Sequence, residues 1–427
     1  MPVIDSIKGR EILDSRGRPT VEATCTLSGG IKASASVPSG ASTGTAEALE
    51  LRDDDPKRYG GLGCRSAAAH LNLEIHKAVE GREFGQAEFD ECLVQLDGTP
   101  NKSRLGANAI LAASVAFARA CAQAANVPLW RSLAAFAGVS PKMLPRLTIN
   151  LLSGGKHAGQ PTAIQDVMIV PAMAATIDET LSVAYDVYQA AARLILERYG
   201  MRLLRADEGG LAPPCNTAEE MIETALDAIR AAGYDPETQV PLAVDVASSH
   251  FYSGEKYRLG RDTLSSEDMV ERVRGWVSAY PIVSVEDGLA EEDWHWWPSL
   301  REAVEGRAIA VGDDLLCTNP LRIERAIREQ SCNALLLKAN QIGTLSEAAE
   351  AYRLARQAGW LVTVSVRSGE TEDNWAADLA VGWGGDQFKN GSITQSERLS
   401  KYNRLLAIEQ ETRLPITSWP SRSPTGL

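Results

Sequence analysis

The sequence predicts an α/β chain in which a small N-terminal α+β domain precedes a closed barrel of strands and helices. Three observations carry this reading. The 427 residues are too many for one ordinary core. From Leu147 onward, short apolar runs alternate with amphipathic helices. Five of those runs also meet a charged residue at or near their C-terminal end.

The N-terminal third reads as strands followed by helices. Met1 to Arg10 alternates apolar and charged residues without a long apolar core, which does not describe a signal peptide. Thr20 to Lys32 has β-type character, and Val37 to Gly44 (VPSGASTG) is a Gly/Ser-rich loop. Ala107 to Ala125, rich in alanine and leucine, is a helix packed on more than one face. The short stretch from Val139 to Pro145 separates this part from the next. The expected organisation is therefore a capping domain over 1–138, a catalytic barrel over 139–417 and a Pro/Ser-rich, frayed tail over 418–427.

The apolar runs of the larger part are LTIN (147–150), DVMIVP (166–171), PLAVDVA (241–247), IVSVED (282–287), AIAVGDD (308–314), ALLLKAN (334–340) and LVTVSV (361–366). Thr217 with Glu220, and Thr344 with Glu347, have capping-box spacing at the starts of two intervening helices. Continuous apolar strands separated by helices imply a parallel sheet covered on both faces. So many units in series favour a closed barrel over an open sheet.

Composition excludes some functions. With 56 acidic and 43 basic residues, the formal net charge of -13 makes nucleic acid an unsuitable partner. No apolar run is expected to span a bilayer. The seven cysteines form no CxxC pair and read as reduced thiols of a cytoplasmic protein.

The placement of charge is more informative. Asp245 interrupts LAVDVA, Glu286 ends IVSVE, Asp313 ends AIAVGD, Lys338 follows LLL and Arg367 follows LVTVSV. In a (β/α) barrel, C-terminal strand ends converge on one mouth. One such residue is ordinarily half of a structural ion pair, but five in succession aim three carboxylates and two cations at one small volume. Three carboxylates without nearby Cys or His are hard oxygen ligands suited to Mg2+. A lysine beside divalent cations loses its proton more easily, so Lys338 is a candidate base. Such a base can deprotonate a carbon next to a carboxylate if metal ions hold the resulting charge.

The segments GREILDSRGRPTVE (9–22), VPSGASTG (37–44), DEGGLAP (207–213), LLLKANQIGTLSE (335–347), RSGETED (367–373) and SERLSKYN (396–403) closely resemble the enolase (phosphopyruvate hydratase) family, in order and over nearly the whole chain. The resemblance implies an enolase-type (β/α)8 barrel with an antiparallel second strand, two Mg2+ ions per site, and a homodimer or larger homo-oligomer. It implies that Asp245, Glu286 and Asp313 hold the tight Mg2+ and that Ser39 helps hold the second. It further implies Lys338 as base, Glu208 as the acid that protonates the departing hydroxyl, and Lys389 in QFKNGS on the substrate carboxylate. Arg367, Ser368 and His157 would grip the phosphoryl group, and Gln165 would line the site.

Three positions depart from the family pattern. Val366 stands where a histidine is usual, Asp166 replaces a glutamate, and Lys156 replaces a small residue before His157. The reading preferred on these departures is a specialised paralogue. Its substrate would be a 2-phosphoglycerate analogue with an extra carboxylate on phosphorus, paired with Lys156, and its product carboxyphosphonoenolpyruvate, as in phosphonate natural-product pathways. The alternatives are an ordinary enolase and an inactive, crystallin-like structural homologue. The first two take a small phosphorylated or phosphonylated hydroxy acid; neither membrane nor nucleic acid is an expected partner.

Overall fold

The computed structural model describes residues 2–41, 43–159, 164–200 and 203–419. Three antiparallel strands open the chain: β1 (Ile4–Leu13), β2 (Pro19–Leu27) and β3 (Lys32–Ser36), paired in the order β1-β2-β3. The alternation at the N-terminus thus belongs to a strand. The stretch expected to be β-type divides into two strands around a turn at Gly29 and Gly30, whose φ values of 90° and 85° favour residues without a Cβ. The helix Ala107–Ala124 lies against this sheet with 14 residues buried, as its all-round apolar sequence requires. Among the described residues it is also the one helix long and apolar enough to cross a membrane, which corrects the expectation that no such run exists. Its burial in the small domain accounts for that composition.

The barrel consists of β4 (Arg146–Ser153), β5 (Asp166–Ile169), β6 (Leu242–Asp245), β10 (Ile282–Glu286), β11 (Ile309–Gly312), β12 (Ala334–Leu337), β13 (Leu361–Ser365) and β14 (Gln387–Lys389). A small meander of β7 (Tyr252–Ser253), β8 (Lys256–Leu259) and β9 (Asp262–Leu264) is inserted after β6. The barrel closes through β14 and β4; β5 runs antiparallel to both its neighbours, and every other pairing is parallel. Seven strands coincide with the apolar runs. The eighth, β14, has only three residues, two of them polar, and gave no run to read.

Helix starts follow local chemistry, with one correction. The Thr217 and Thr344 hydroxyls accept the N–H groups of Glu220 and Glu347 at 3.1 Å, as expected. The carboxylates do not complete the boxes: Glu220 takes the N–H of Asn216, while Glu347 accepts from the Thr344 hydroxyl and from Lys102. A reciprocal box does form at Ser265 with Asp268.

Inside the barrel, Met168, Val170, Ala243, Val283, Ile309, Val311, Ala334 and Leu336 form a separate apolar cluster, and Trp419 packs into it. Trp419, placed by sequence in a frayed tail, is only 7 % exposed. Residues 420–427 of that tail lie outside the described residues. With the opposite end filled, the charged strand ends face the other mouth.

Candidate active site

Strand register delivers the charges. In the parallel ladder Asp245 stands opposite Glu286, and Glu286 opposite Val311, two residues before Asp313. The reversed direction of β5 brings its first residue, Asp166, opposite Asp245, with Gln165 just before it. Lys338 follows β12, Arg367 follows β13 by two residues, and Lys389 ends β14 beside Ser365. Gln165, Glu208, Asp245, Lys338, Arg367, Ser368 and Lys389 line one small cavity together with Ala41, Ser365 and Val366.

The contacts divide this mouth into three groups. Lys389 Nζ donates to Asp245 Oδ2 at 2.8 Å and to Glu286 Oε1 and Oε2 at 2.8 and 2.7 Å, and Gln165 Nε2 adds a bond to Asp245 Oδ2 at 3.1 Å. Lys338 Nζ meets Asp313 Oδ2 at 2.5 Å. Arg367 grips Glu47 through both terminal nitrogens at 2.9 and 3.1 Å. All three cations are therefore matched by carboxylates, as burial demands.

Protonation follows from this matching. Burial alone raises the Asp245 carboxyl, but the Lys389 ammonium outweighs it and holds Asp245 at about 2. Burial and the neighbouring Asp245 charge push Glu286 well above the usual carboxylate range. Asp313 is lowered against the effect of burial by Lys338, and Lys338 is raised in turn by Asp313. In the field of these side chains alone, Lys338 keeps its proton.

Glu208 lies in the segment after residue 203 and accepts from Asn150 Nδ2 at 3.0 Å. Its backbone carbonyl lies so close to Gly391 that a Cβ there would meet it at 2.9 Å, and Gly391 has φ +77°. A side chain at this position would displace the acid. The Ser368 hydroxyl accepts from Arg16 Nη1 at 3.0 Å and from the Ala41 N–H at 2.9 Å, which ties it to the N-terminal domain. Ser39 is buried, but its hydroxyl donates to Glu50 at 2.9 Å and accepts from Arg52 at 2.7 Å. It is thus engaged outside the carboxylate cage, and a role as ligand requires its loop to shift. Lys156 is exposed on the one-turn helix Gly155–Ala158 and is absent from the cavity lining. The side chain of His157 lies outside the described residues.

Asp245, Glu286 and Asp313 are buried oxygen donors, a set that fits a hard divalent cation. The tightest acidic grouping among the described residues is nevertheless Asp287, Asp313 and Asp314, with one oxygen of each within 4.8 Å of the others. Asp245 and Glu286 are instead drawn together on the Lys389 ammonium. Asp287 spends both oxygens on the N–H groups of Asp313 and Asp314, at 3.0 and 2.8 Å, and so fixes the turn that presents Asp313. Sequence reasoning missed Asp287, Glu47, Asn150 and Gln341 as parts of the site. Only Asp287 left a signal, as a second acid after Glu286.

Comparison with known proteins decides the family. Residues 4–133 match the family model "Enolase, N-terminal domain", and residues 141–414 match "Enolase, C-terminal TIM barrel domain". The chain is 47% identical over 412 residues to Enolase 1 of Methylococcus capsulatus (strain Bath), covering 96% of this chain and 97% of that protein. The chain belongs to the enolase family. It is accordingly a hydro-lyase.

Within this enolase-family chain the three departures have different surroundings. Val366 contributes a buried apolar wall to the cavity, with its N–H donated to the Lys389 carbonyl at 3.3 Å. Asp166 is fully buried at the start of β5 and accepts from the Ser153 hydroxyl at 2.7 Å. Of the three, only Val366 lines the cavity; Asp166 does not, nor does Lys156, the residue expected to bind an extra substrate carboxylate.

Proposed function

We propose that this chain is an ordinary enolase, a Mg2+-dependent enzyme that dehydrates 2-phosphoglycerate to phosphoenolpyruvate. Near-complete alignment with Enolase 1 carries this reading. It supports this reading better than the carboxyphosphonoenolpyruvate synthase reading, whose key contact, Lys156, is exposed and not in the cavity lining. The retained base, acid and carboxylates speak against an inactive structural homologue. The same reading makes the protein a cytoplasmic homo-oligomer.

In this mechanism Lys389 and Gln165 orient the substrate carboxylate, and Arg367 and Ser368 receive the phosphoryl group, with His157 assigned to the same end. Lys338 Nζ takes the α-proton, and Glu208, held by Asn150, delivers a proton to the departing hydroxyl. Asp245, Glu286 and Asp313 would hold the tight Mg2+, with Ser39 assigned to a second. When bound, these ions supply positive charge that balances the developing dianion and offsets the carboxylate field that keeps Lys338 protonated.

The test is a ratio of kcat/KM values for 2-phosphoglycerate and for its analogue carrying a carboxylate on phosphorus. The ordinary substrate is expected to be turned over and the analogue ignored. Preference for the analogue would overturn the proposal and return the paralogue reading, with Val366 as the altered wall. Activity that survives thorough chelation would remove the metal assignment.

A further inference from the structure

Two consecutive residues behind the base adopt a backbone conformation that their side chains disfavour. Cys317 has φ 46° and Thr318 φ 51°, and a β-branched residue in the left-handed region is strained. Thr318 is fully buried, as is Gln341, one turn beyond Lys338.

The strained threonine belongs to a closed ring of hydrogen bonds. The Lys338 backbone N–H donates to Thr318 Oγ1 at 2.9 Å. The Thr318 hydroxyl donates to Gln341 Oε1 at 2.7 Å, and Gln341 Nε2 donates to Asp313 Oδ1 at 2.8 Å. Lys338 Nζ closes the ring on Asp313 Oδ2 at 2.5 Å. The donor sequence can run only one way round. Lys338 N–H has no acceptor capacity, so the Thr318 oxygen accepts there and its single proton goes to Gln341. The amide oxygen of Gln341 must then face Thr318 and its NH2 must face the carboxylate. A flipped amide would set its oxygen against Asp313.

We infer that Thr318, acting through the amide of Gln341, is a positioning residue that selects which oxygen of Asp313 meets the base Lys338. The hydroxyl is suited to this because it accepts and donates at one atom, and the backbone strain is the cost of placing it there. Gln341 also extends the arrangement toward the phosphoryl end. Its carbonyl accepts the Ala48 N–H at 2.7 Å, one residue after the Glu47 that holds Arg367. This inference rests on Lys338 being the base, as proposed above.

The experiment measures exchange of the α-proton of 2-phosphoglycerate with deuterated water at saturating Mg2+, together with KM and the melting temperature. Thr318→Val keeps the shape and the β-branch but removes the hydroxyl. It is expected to slow exchange about tenfold to hundredfold, the scale of a small misplacement of a reacting group, with KM little changed. Thr318→Ser keeps the hydroxyl and relieves strain, so its exchange should stay near wild type. If the valine variant does not fold, Gln341→Met takes its place with the same expected loss. Wild-type exchange in Thr318→Val or its substitute overturns the inference, as does a serine variant as slow as the valine one. A wild-type chain that exchanges no proton overturns the enolase reading and this inference with it.

Discussion

Buried carboxylates occur in two settings whose contrast is instructive. At the barrel mouth, Asp245 and Asp313 face the ammonium groups of Lys389 and Lys338 and lie below the ordinary carboxylate range. Where the helix Gln86–Asp97 meets the helix Leu345–Gln357, Asp90 is equally buried but accepts only from neutral groups. Its donors are the Ser346 N–H at 2.9 Å, the Ser346 hydroxyl at 2.6 Å and Gln86 Nε2 at 3.0 Å. Burial pushes Asp90 up to about 6. At Asp245 and Asp313 a facing cation keeps the acid ionised, whereas the neutral donors of Asp90 only lessen the penalty. The first arrangement is poised for chemistry and the second joins two parts of the fold.

The largest expected effect breaks the mouth at its base. Lys338→Ala should abolish exchange of the substrate α-proton with deuterated water, because no other group is assigned to accept it. Glu208→Gln should spare much of that exchange while blocking loss of the hydroxyl. Near-wild-type exchange in Lys338→Ala would assign the base elsewhere.

A smaller effect tests how far charge matching extends. Arg367 and Glu47 form a buried pair with side-chain exposures of 3% and 7%. Glu47→Gln removes the carboxylate that both terminal nitrogens of Arg367 meet and should destabilise the protein by about 3 kcal/mol. If Arg367 is the phosphoryl-binding group, inorganic phosphate should restore part of the loss. Phosphate should then raise the variant's melting temperature more than the wild type's. Equal increments in the two proteins would separate Arg367 from anion binding.

The same contrast explains what was legible in the sequence. Asp245, Glu286, Asp313 and Lys338 could be read from pattern because a strand end fixes both the direction and the height of its side chain. Glu208, Ser39 and Lys389 needed the family resemblance: the first two sit outside strands, and the third ends a strand of three residues. Glu47 and Gln341 escaped both routes, since each acts through a partner more than 25 positions away. Lys156 was read as a pocket residue from its neighbour His157, but adjacency in a loop does not set side-chain direction. Asp90 could not be read at all. Whether a helical aspartate is buried depends on the partner helix, and Ser346 lies 256 positions along the chain.

The smallest expected effect concerns Asp90 and reverses the usual sign for a carboxylate. Its folded value of about 6 lies above the ordinary value of 3.8, so the folded state binds the proton more tightly than the unfolded chain does. Stability from this group is fully present below the unfolded value and is lost as pH rises through the folded one. The loss should therefore develop between about pH 4 and pH 6 and stay constant above, with an upper bound of about 3 kcal/mol. Other acids titrate in the same window, so the wild-type curve alone does not isolate Asp90. Asp90→Asn removes the ionisation while retaining an oxygen that can accept from Ser346. The stability of the variant relative to wild type should thus rise from pH 4 to pH 7, as the wild type acquires a buried charge that the variant never carries. Chemical denaturation of both proteins across that range measures the difference directly. A constant difference would mean that Asp90 is ionised throughout, with the Ser346 donors at the helix start sufficient to hold the charge.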